Sequence, residues 1–221
     1  QVFNFSVTVT AAQNQTTPSS FSVTVVTSEP YFKYNTLLLT GDGVSGSNNN
    51  IFLDSSPNNF TITRTGNTTQ GSFSPYGTNW SIYNNGVGGN YLTVSANSAL
   101  NQSGNLTIEM WVYLNATPSV TLSLYGFEVT NFLKIAIHLS RKLTVDQAMV
   151  GQRVTSTNTI SLGVWSHICL VRNGSSANNC SIYINGNLEG QFVNHGAGQR
   201  ADLGFPVNRL TGISDNQFGH L

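Results

Sequence analysis

Residues 164–186 read VWSHICLVRNGSSANNCSIYING, and they describe two strands folded back on one another. In the first arm Trp165, His167, Cys169 and Val171 alternate with Ser166, Ile168, Leu170 and Arg172. In the second, Cys180, Ile182 and Ile184 alternate with Ser181 and Tyr183. The intervening Asn-Gly-Ser-Ser-Ala-Asn-Asn tolerates positive φ and predicts a hairpin turn, and Asn185-Gly186 predicts a second reversal. Both faces of the first arm are apolar, which suits a strand inside a two-sheet stack better than one at an edge.

Working outward, the 221 residues suffice for one large all-β domain, or for one domain plus a fragment. No stretch shows a sustained helical period, and the Gly, Asn and Ser punctuation recurs about every eight to twelve residues. Strands are expected near 36–40, 51–53, 60–64, 80–84, 91–95, 105–114, 120–126, 132–139, 142–149, 153–160, 165–172, 180–185 and 188–193. Two packed antiparallel sheets are the economical arrangement of so many short strands.

Only 8% of the residues are charged, nine basic against nine acidic, so no field of either sign exists to attract nucleic acid or an anionic membrane. Solubility must come from Asn, Ser, Thr and Gln, a surface chemistry common on secreted and virion proteins. No apolar run approaches the length of a membrane-spanning helix. The opening QVFNFSVTVT has neither the basic start nor the continuous apolar core of a signal peptide, and we expect sequence before Gln1.

Residues 1–28 read as a separate β-hairpin: Phe3, Phe5, Val7 and Val9 alternate with polar residues, residues 13–18 break the pattern, and Phe21, Val23 and Val25 resume it. A lone hairpin is marginal in water, so it must pack on a neighbour, an upstream domain or another copy of the chain. Residues 29–34, with Glu29-Pro30, read as a linker, and the main domain is expected over 35–221.

The stretch from Trp165 to Gly186 also carries a resemblance. Trp-x-His, a run of small apolar residues, Val171-Arg172-Asn173-Gly174 and a strand ending Ile182-Tyr183-Ile184-Asn185-Gly186 together resemble the laminin-G-like jelly roll of the concanavalin A-like lectin/glucanase superfamily. Further pieces match in order: residues 37–43 with 52–56, Asn90 to Val94, and Leu106 to Leu114. The Asp54-Ser55-Ser56 variant followed by Asn59 to Thr63 resembles copies found in phage and marine microbial surface proteins. The hairpin at 1–28 resembles the last two strands of an immunoglobulin-like or cadherin-like module. The resemblance implies a two-sheet antiparallel jelly-roll sandwich behind an N-terminal hairpin. It fades after His195, leaving a sheet position for a missing or partner strand to fill.

Glucanases on this scaffold need two carboxyl groups about 5–5.5 Å apart across the scissile bond. Here Glu109 is the only carboxylate in Thr107-Ile108-Glu109-Met110-Trp111, so no catalytic residue is assigned. Thr107, Glu109, Trp111 and Tyr113 share one face of their strand, while Leu106, Ile108, Met110 and Val112 fill the core. Glu109 and Trp111 are therefore read either as a sugar platform with one acid or as structural residues. The aromatics Phe73, Tyr76, Trp80 and Tyr83, in a Gly/Ser/Asn-rich region, can stack on sugars or fill one end of the sandwich. His167 reads as a core or rim histidine. The candidate ligand residues are thus Trp80, Tyr76, Tyr83, Glu109 and Trp111.

No cofactor is required. By resemblance, Asp42 and Asp54 are candidate calcium ligands, with turn-capping as the competing reading. Cys169 and Cys180 either bridge the hairpin, if the register sets them opposite each other, or are small buried residues.

The resemblance, the missing acid pair and the ends of the match together imply a non-enzymatic adhesion or structural module. It would sit on a virion (tail fibre, head fibre or decoration) or on a cell-surface appendage, outside the cell. It would bind host glycan or a partner protein as a homo-oligomer or part of a larger complex, with no membrane insertion. The alternatives are a glycan-cleaving enzyme centred on Glu109 and a ligand-free decoration protein.

Overall fold

A computed structural model describes residues 31–41, 50–71, 73–76, 80–85, 89–95, 97–100, 105–126, 133–147, 151–174, 179–192, 209–210 and 218–220. The chain divides into two units, residues 1–30 and 31–221. The expected hairpin at 1–28 and the candidate ligand Asp42 lie outside the described residues.

Among the described residues fourteen strands carry the fold: β1 (Ile62–Thr65), β2 (Thr69–Gly71), β3 (Ser81–Asn85), β4 (Tyr91–Val94), β5 (Leu106–Tyr113), β6 (Leu122–Gly126), β7 (Leu133–Ile137), β8 (Lys142–Gln147), β9 (Gly151–Thr159), β10 (Trp165–Arg172), β11 (Cys180–Ile184), β12 (Asn187–Phe192), β13 (Arg209–Leu210) and β14 (Phe218–His220). They form two seven-stranded sheets, β1-β4-β13-β6-β7-β8-β9 and β12-β11-β10-β5-β14-β3-β2. The fold is an all-β antiparallel sandwich, as expected. Among the described residues the helical elements are two single 3₁₀ turns, Phe32–Tyr34 and Ser98–Leu100, and no helix is long and apolar enough to cross a membrane.

The quoted hairpin forms the middle of the second sheet. β10 runs antiparallel to β5 over eight rungs, from Trp165 opposite Tyr113 to Arg172 opposite Leu106, and to β11 from Ile168–Ile184 to Arg172–Cys180. Burial along β10 alternates residue by residue, with Ile168 and Leu170 each 1% exposed. Their inward row meets Leu122, Leu124, Ile135, Ile137, Leu143 and Val145 of the facing sheet. Each fully buried aliphatic side chain contributes roughly 1.5–3 kcal/mol. Asn185 (φ 51°) and Gly186 (φ 79°) both take the left-handed conformation of a two-residue hairpin, so the Asn-Gly pair suits the tight β11–β12 turn.

One edge of the sandwich is stitched by a buried carboxylate. Glu189 of β12 accepts hydrogen bonds from the Asn158 backbone N–H (2.7 Å) and side-chain amide (3.0 Å) on β9, and its carbonyl accepts one from the Thr157 hydroxyl (3.2 Å). The sheets approach so closely here that a Cβ on Gly190 would lie 2.5 Å from Val154 Cγ2. A smaller apolar cluster of Phe52, Ile82, Leu92, Val94 and Leu100 fills the other end.

Several elements differ from the sequence expectation. The strands expected at 36–40 and 51–53 shrink to isolated bridges, Leu39–Asp54 and Leu53–Thr61. Asp54 supplies the reason, because its side chain takes the Leu38, Ser56 and Phe60 backbone donors that a ladder would otherwise use. β2, spelled Thr-Gln-Gly, was not anticipated. Nor were β13, which lies between β4 and β6, and β14, which lies between β3 and β5, so the chain's own C-terminal residues enter both sheets. The cysteines are not bridged to each other: Cys169 faces Tyr183 and Cys180 faces Arg172, three rungs apart along the strand pair.

Candidate functional site

The strand alternation that buries Ile108, Met110 and Val112 turns Thr107, Glu109, Trp111 and Tyr113 outward, and the register of β10 sets Val171, Cys169, His167 and Trp165 beside them. The outer face of the second sheet therefore carries a double row of side chains, with aromatic rings at one end and polar groups toward the other. Tyr113 and Trp165 stand 5.5 Å apart at the ring centroids, and Phe73 packs edge-on to Tyr113 at 5.0 Å. This end is a ring cluster closed on itself.

The next rung is open. Trp111 and His167 rings stand 5.2 Å apart, and the Trp111 indole N–H donates to the Tyr76 hydroxyl at 2.8 Å, with the two rings nearly perpendicular. His167 Nε2 lies 3.4 Å from Glu109 Oε2. Glu109 is 63% exposed, so this pair is solvated and its carboxylate is free to meet a ligand. The position of β10 is locked from behind: the Asn185 side chain accepts from the His167 backbone N–H (2.8 Å), and the His167 carbonyl accepts from the Asn185 N–H (2.8 Å).

Tyr76, Trp80, Glu109, Trp111 and His167 all line a cleft of about 940 Å³. Tyr76 is 68% and Trp80 41% exposed, so these rings face outward. The structure thus brings four of the five candidate ligand residues to one cleft, whereas Tyr83 does not line it. Tyr83 sits on β3, opposite Thr69 and His220. His167 is the residue that sequence reasoning passed over as a core or rim histidine. Its parity with Trp165 on β10 was the available signal for an outward position.

Along its rim the cleft is framed by residues 35–40, whose course is fixed by Asp54. Oδ1 accepts from the Leu38 and Ser56 N–H groups, each at 2.9 Å; Oδ2 accepts from the Ser56 hydroxyl (2.8 Å) and the Phe60 N–H (2.9 Å). Burial by itself would raise this carboxyl's pKa, but the three backbone donors and the hydroxyl outweigh it and hold the pKa below the usual carboxylate value. Each oxygen accepts two hydrogen bonds, the geometry of a turn cap. Among the described residues no group of three or more His, Cys, Asp or Glu comes together. Glu109 is the only carboxylate lining the cleft among them.

A family model described as the concanavalin A-like lectin/glucanases superfamily, of laminin-G type, matches residues 84–211. No curated protein sequence matches. Among solved structures, the binding domain of Paraclostridial Mosquitocidal Protein 1 superposes with a TM-score of 0.61 at 18% identity, covering 86% of this chain and 49% of that one. The binding domain of botulinum neurotoxin DC, solved with rat synaptotagmin II, gives 0.57 at 14% identity, covering 82% and 44%; the same domain solved with SialylT gives 0.55 at 14%, covering 83% and 44%. A Trypanosoma rangeli sialidase solved with sialic acid gives 0.55 at 14%, covering 84% and 30%. The chain spans half the length of these structures or less, and at such identities the likeness is one of fold.

Proposed function

We propose, from the premise that this chain belongs to the concanavalin A-like lectin/glucanase superfamily, that it is a binding module without hydrolytic chemistry. Its ligand is a glycan, held on the outer face of the second sheet. The observation that carries this reading is the rung formed by Trp111 and His167, flanked by Tyr76 and Glu109, at the mouth of the cleft. An indole face stacks on the apolar side of a pyranose, while Glu109, His167 and the Tyr76 hydroxyl supply donors and acceptors for ring hydroxyls. Binding domains of the same fold, solved with SialylT and with rat synaptotagmin II, support a recognition role. Among the described residues the cleft offers one carboxylate beside an imidazole, and not the acid pair that most glycoside hydrolases use.

On this reading the module belongs to a virion or cell-surface appendage and serves adhesion to host glycan or to a partner protein; the uncharged polar surface and the family fold support it. The test is a glycan array followed by calorimetry on the best hits. Trp111→Ala should weaken binding roughly 5- to 150-fold, taking the about 1–3 kcal/mol of a base stacked on an aromatic ring as the measure of the lost stacking, while leaving the fold intact by circular dichroism. Absence of any glycan hit would sink the reading. New reducing ends released from a host-surface polysaccharide by the wild type, and not by Glu109→Gln, would replace it with the enzymatic one.

A further inference from the structure

The platform is one part of a longer aromatic lining. Tyr31 and Tyr34, each 70% exposed, line the same cleft as Tyr76, Trp80 and Trp111. Accessible rings gathered around one opening mark a contact surface more than a solvated one. Tyr31 and Tyr34 come from a short 3₁₀ turn, in which the Tyr34 N–H donates to the Tyr31 carbonyl (2.9 Å) and the Asn35 N–H to the Phe32 carbonyl (3.0 Å). Residues three apart in such a turn stand one above the other, so both tyrosines leave the backbone on the same side. Lys33 Nζ lies 5.0 Å from the Tyr34 ring centroid and steadies that ring by a cation–π contact. Just beyond the turn, the Thr36 carbonyl accepts from the Ser56 hydroxyl (3.1 Å) and the Asn58 side-chain amide (2.9 Å), which ties the segment to the sandwich. It then runs to Gly41, where a Cβ would lie 2.7 Å from the Ser81 backbone, next to Trp80.

Trp80 stands well away from Trp111. β14 pairs with β3 through His220–Tyr83 and with β5 through His220–Tyr113, so β3 and β5 lie two strand spacings apart, about 9.6 Å. Counted back from Tyr83 and Tyr113, Trp80 falls within one residue of the level of Trp111, which sets their backbones about 10 Å apart. A single pyranose ring cannot stack on both indoles, whereas a run of sugars can.

We propose that the cleft takes a run of several sugars rather than one terminal residue, with Trp80 and Tyr34 forming a second stacking position beyond the Trp111 platform. The inference rests on the glycan reading and gives it a ligand class, an oligosaccharide or a segment of polysaccharide. Rings fixed by the turn and by the start of β3 lose little freedom on binding, so their stacking is retained as affinity. Affinity therefore climbs with chain length until both positions are filled, and then levels off.

The test titrates the full chain with ladders of one to five sugars cut from β-glucan, xylan, mannan and chitin. On a ladder that binds, lengthening the chain should raise affinity by at least about fivefold in all, the measure of one added stacking contact. Trp80→Ala should abolish that length gain and Tyr34→Ala should reduce it, whereas Trp80→Phe, which keeps a ring face, should retain most of it. A single sugar that binds as tightly as the longest member overturns the proposal and leaves the glycan reading standing. So does a length gain that survives in the Trp80→Ala/Tyr34→Ala double variant, or binding to single terminal sugars on the array with none to any ladder. Failure of array and ladders together overturns both.

Discussion

Replacing Asp54 by Asn changes one oxygen for an amide and leaves shape nearly constant, so its cost isolates the hydrogen bonds that shape the cleft's rim. Four donors converge on the carboxylate, two per oxygen, at 2.8–2.9 Å. Asn keeps one oxygen and its pair of donors. The other pair then meets an NH₂ group, losing two bonds to a charged acceptor worth about 1.5–3 kcal/mol each. Ser56 can rotate its hydroxyl to accept from the new amide, which recovers about 1 kcal/mol, so the net cost is about 2–5 kcal/mol. For a domain of this size that is a fall of roughly 5–15 °C in melting temperature, measurable by circular dichroism. The acid limb provides a second reading. Asp54 is held below its unfolded pKa, so its contribution is complete above that value, near pH 4, and is lost as the pH falls through the depressed folded value. Asp54→Asn should therefore lose less stability than wild type as the pH falls below about 4. A melting temperature within 1–2 °C of wild type at neutral pH, together with an unchanged acid limb, would refute the reasoning.

Gly190→Ala places a methyl 2.5 Å from Val154 Cγ2 and should cost about 1–3 kcal/mol of overpacking in urea unfolding; Val154→Ala in the same chain should recover part of it. Burial first, and then the charge of Glu109, push the Cys169 thiol up to about 11, so alkylation at pH 7 should be slow and should accelerate until the pH nears that value. Because the two cysteines are three rungs apart, reductant should leave the melting temperature unchanged. Both Asp54 oxygens already accept two bonds each, so adding calcium or a chelator should shift the melting temperature by less than about 1 °C; a saturable calcium-dependent rise would revive a metal site involving Asp42.

What the sequence made legible was whatever its alternation wrote down. Trp165 to Arg172 and Leu106 to Tyr113 repeat with period two, so their strand character, their inward row and the outward Trp111 and Glu109 could be read from the residues, whereas their pairing with each other could not. The segments around Leu39 and Leu53 look like strands by the same criterion, yet a side chain, that of Asp54, took over the backbone donors. Such a competition is decided by three-dimensional closeness and leaves no periodic trace. β13 and β14, two and three residues long, are too short to have a period at all. The loop aromatics divided for a similar reason: Tyr76 reaches Trp111 across 35 residues, a contact set by how the chain folds over the sheet, whereas Tyr83 is tied to the β3 register.

The arrangement also explains why such a scaffold can change ligands without refolding. On β5 and β10 the inward Ile108, Met110, Val112, Ile168 and Leu170 serve the core and are constrained by packing against the facing sheet. Their outward neighbours contribute little to that packing, and the ladder holds them at fixed spacing whatever they are. A binding surface drawn from Glu109, Trp111 and His167 can therefore be rewritten residue by residue at small cost in stability. The backbone hydrogen bonds of an eight-rung antiparallel pair keep the geometry rigid meanwhile. Tyr76 is the exception. It reaches the platform from outside the sheet, and its bond to the Trp111 indole makes the ring's orientation depend on the segment that carries it. Variation in that segment, from Phe73 to Tyr76, would therefore alter ligand choice most readily while leaving the sandwich as it is.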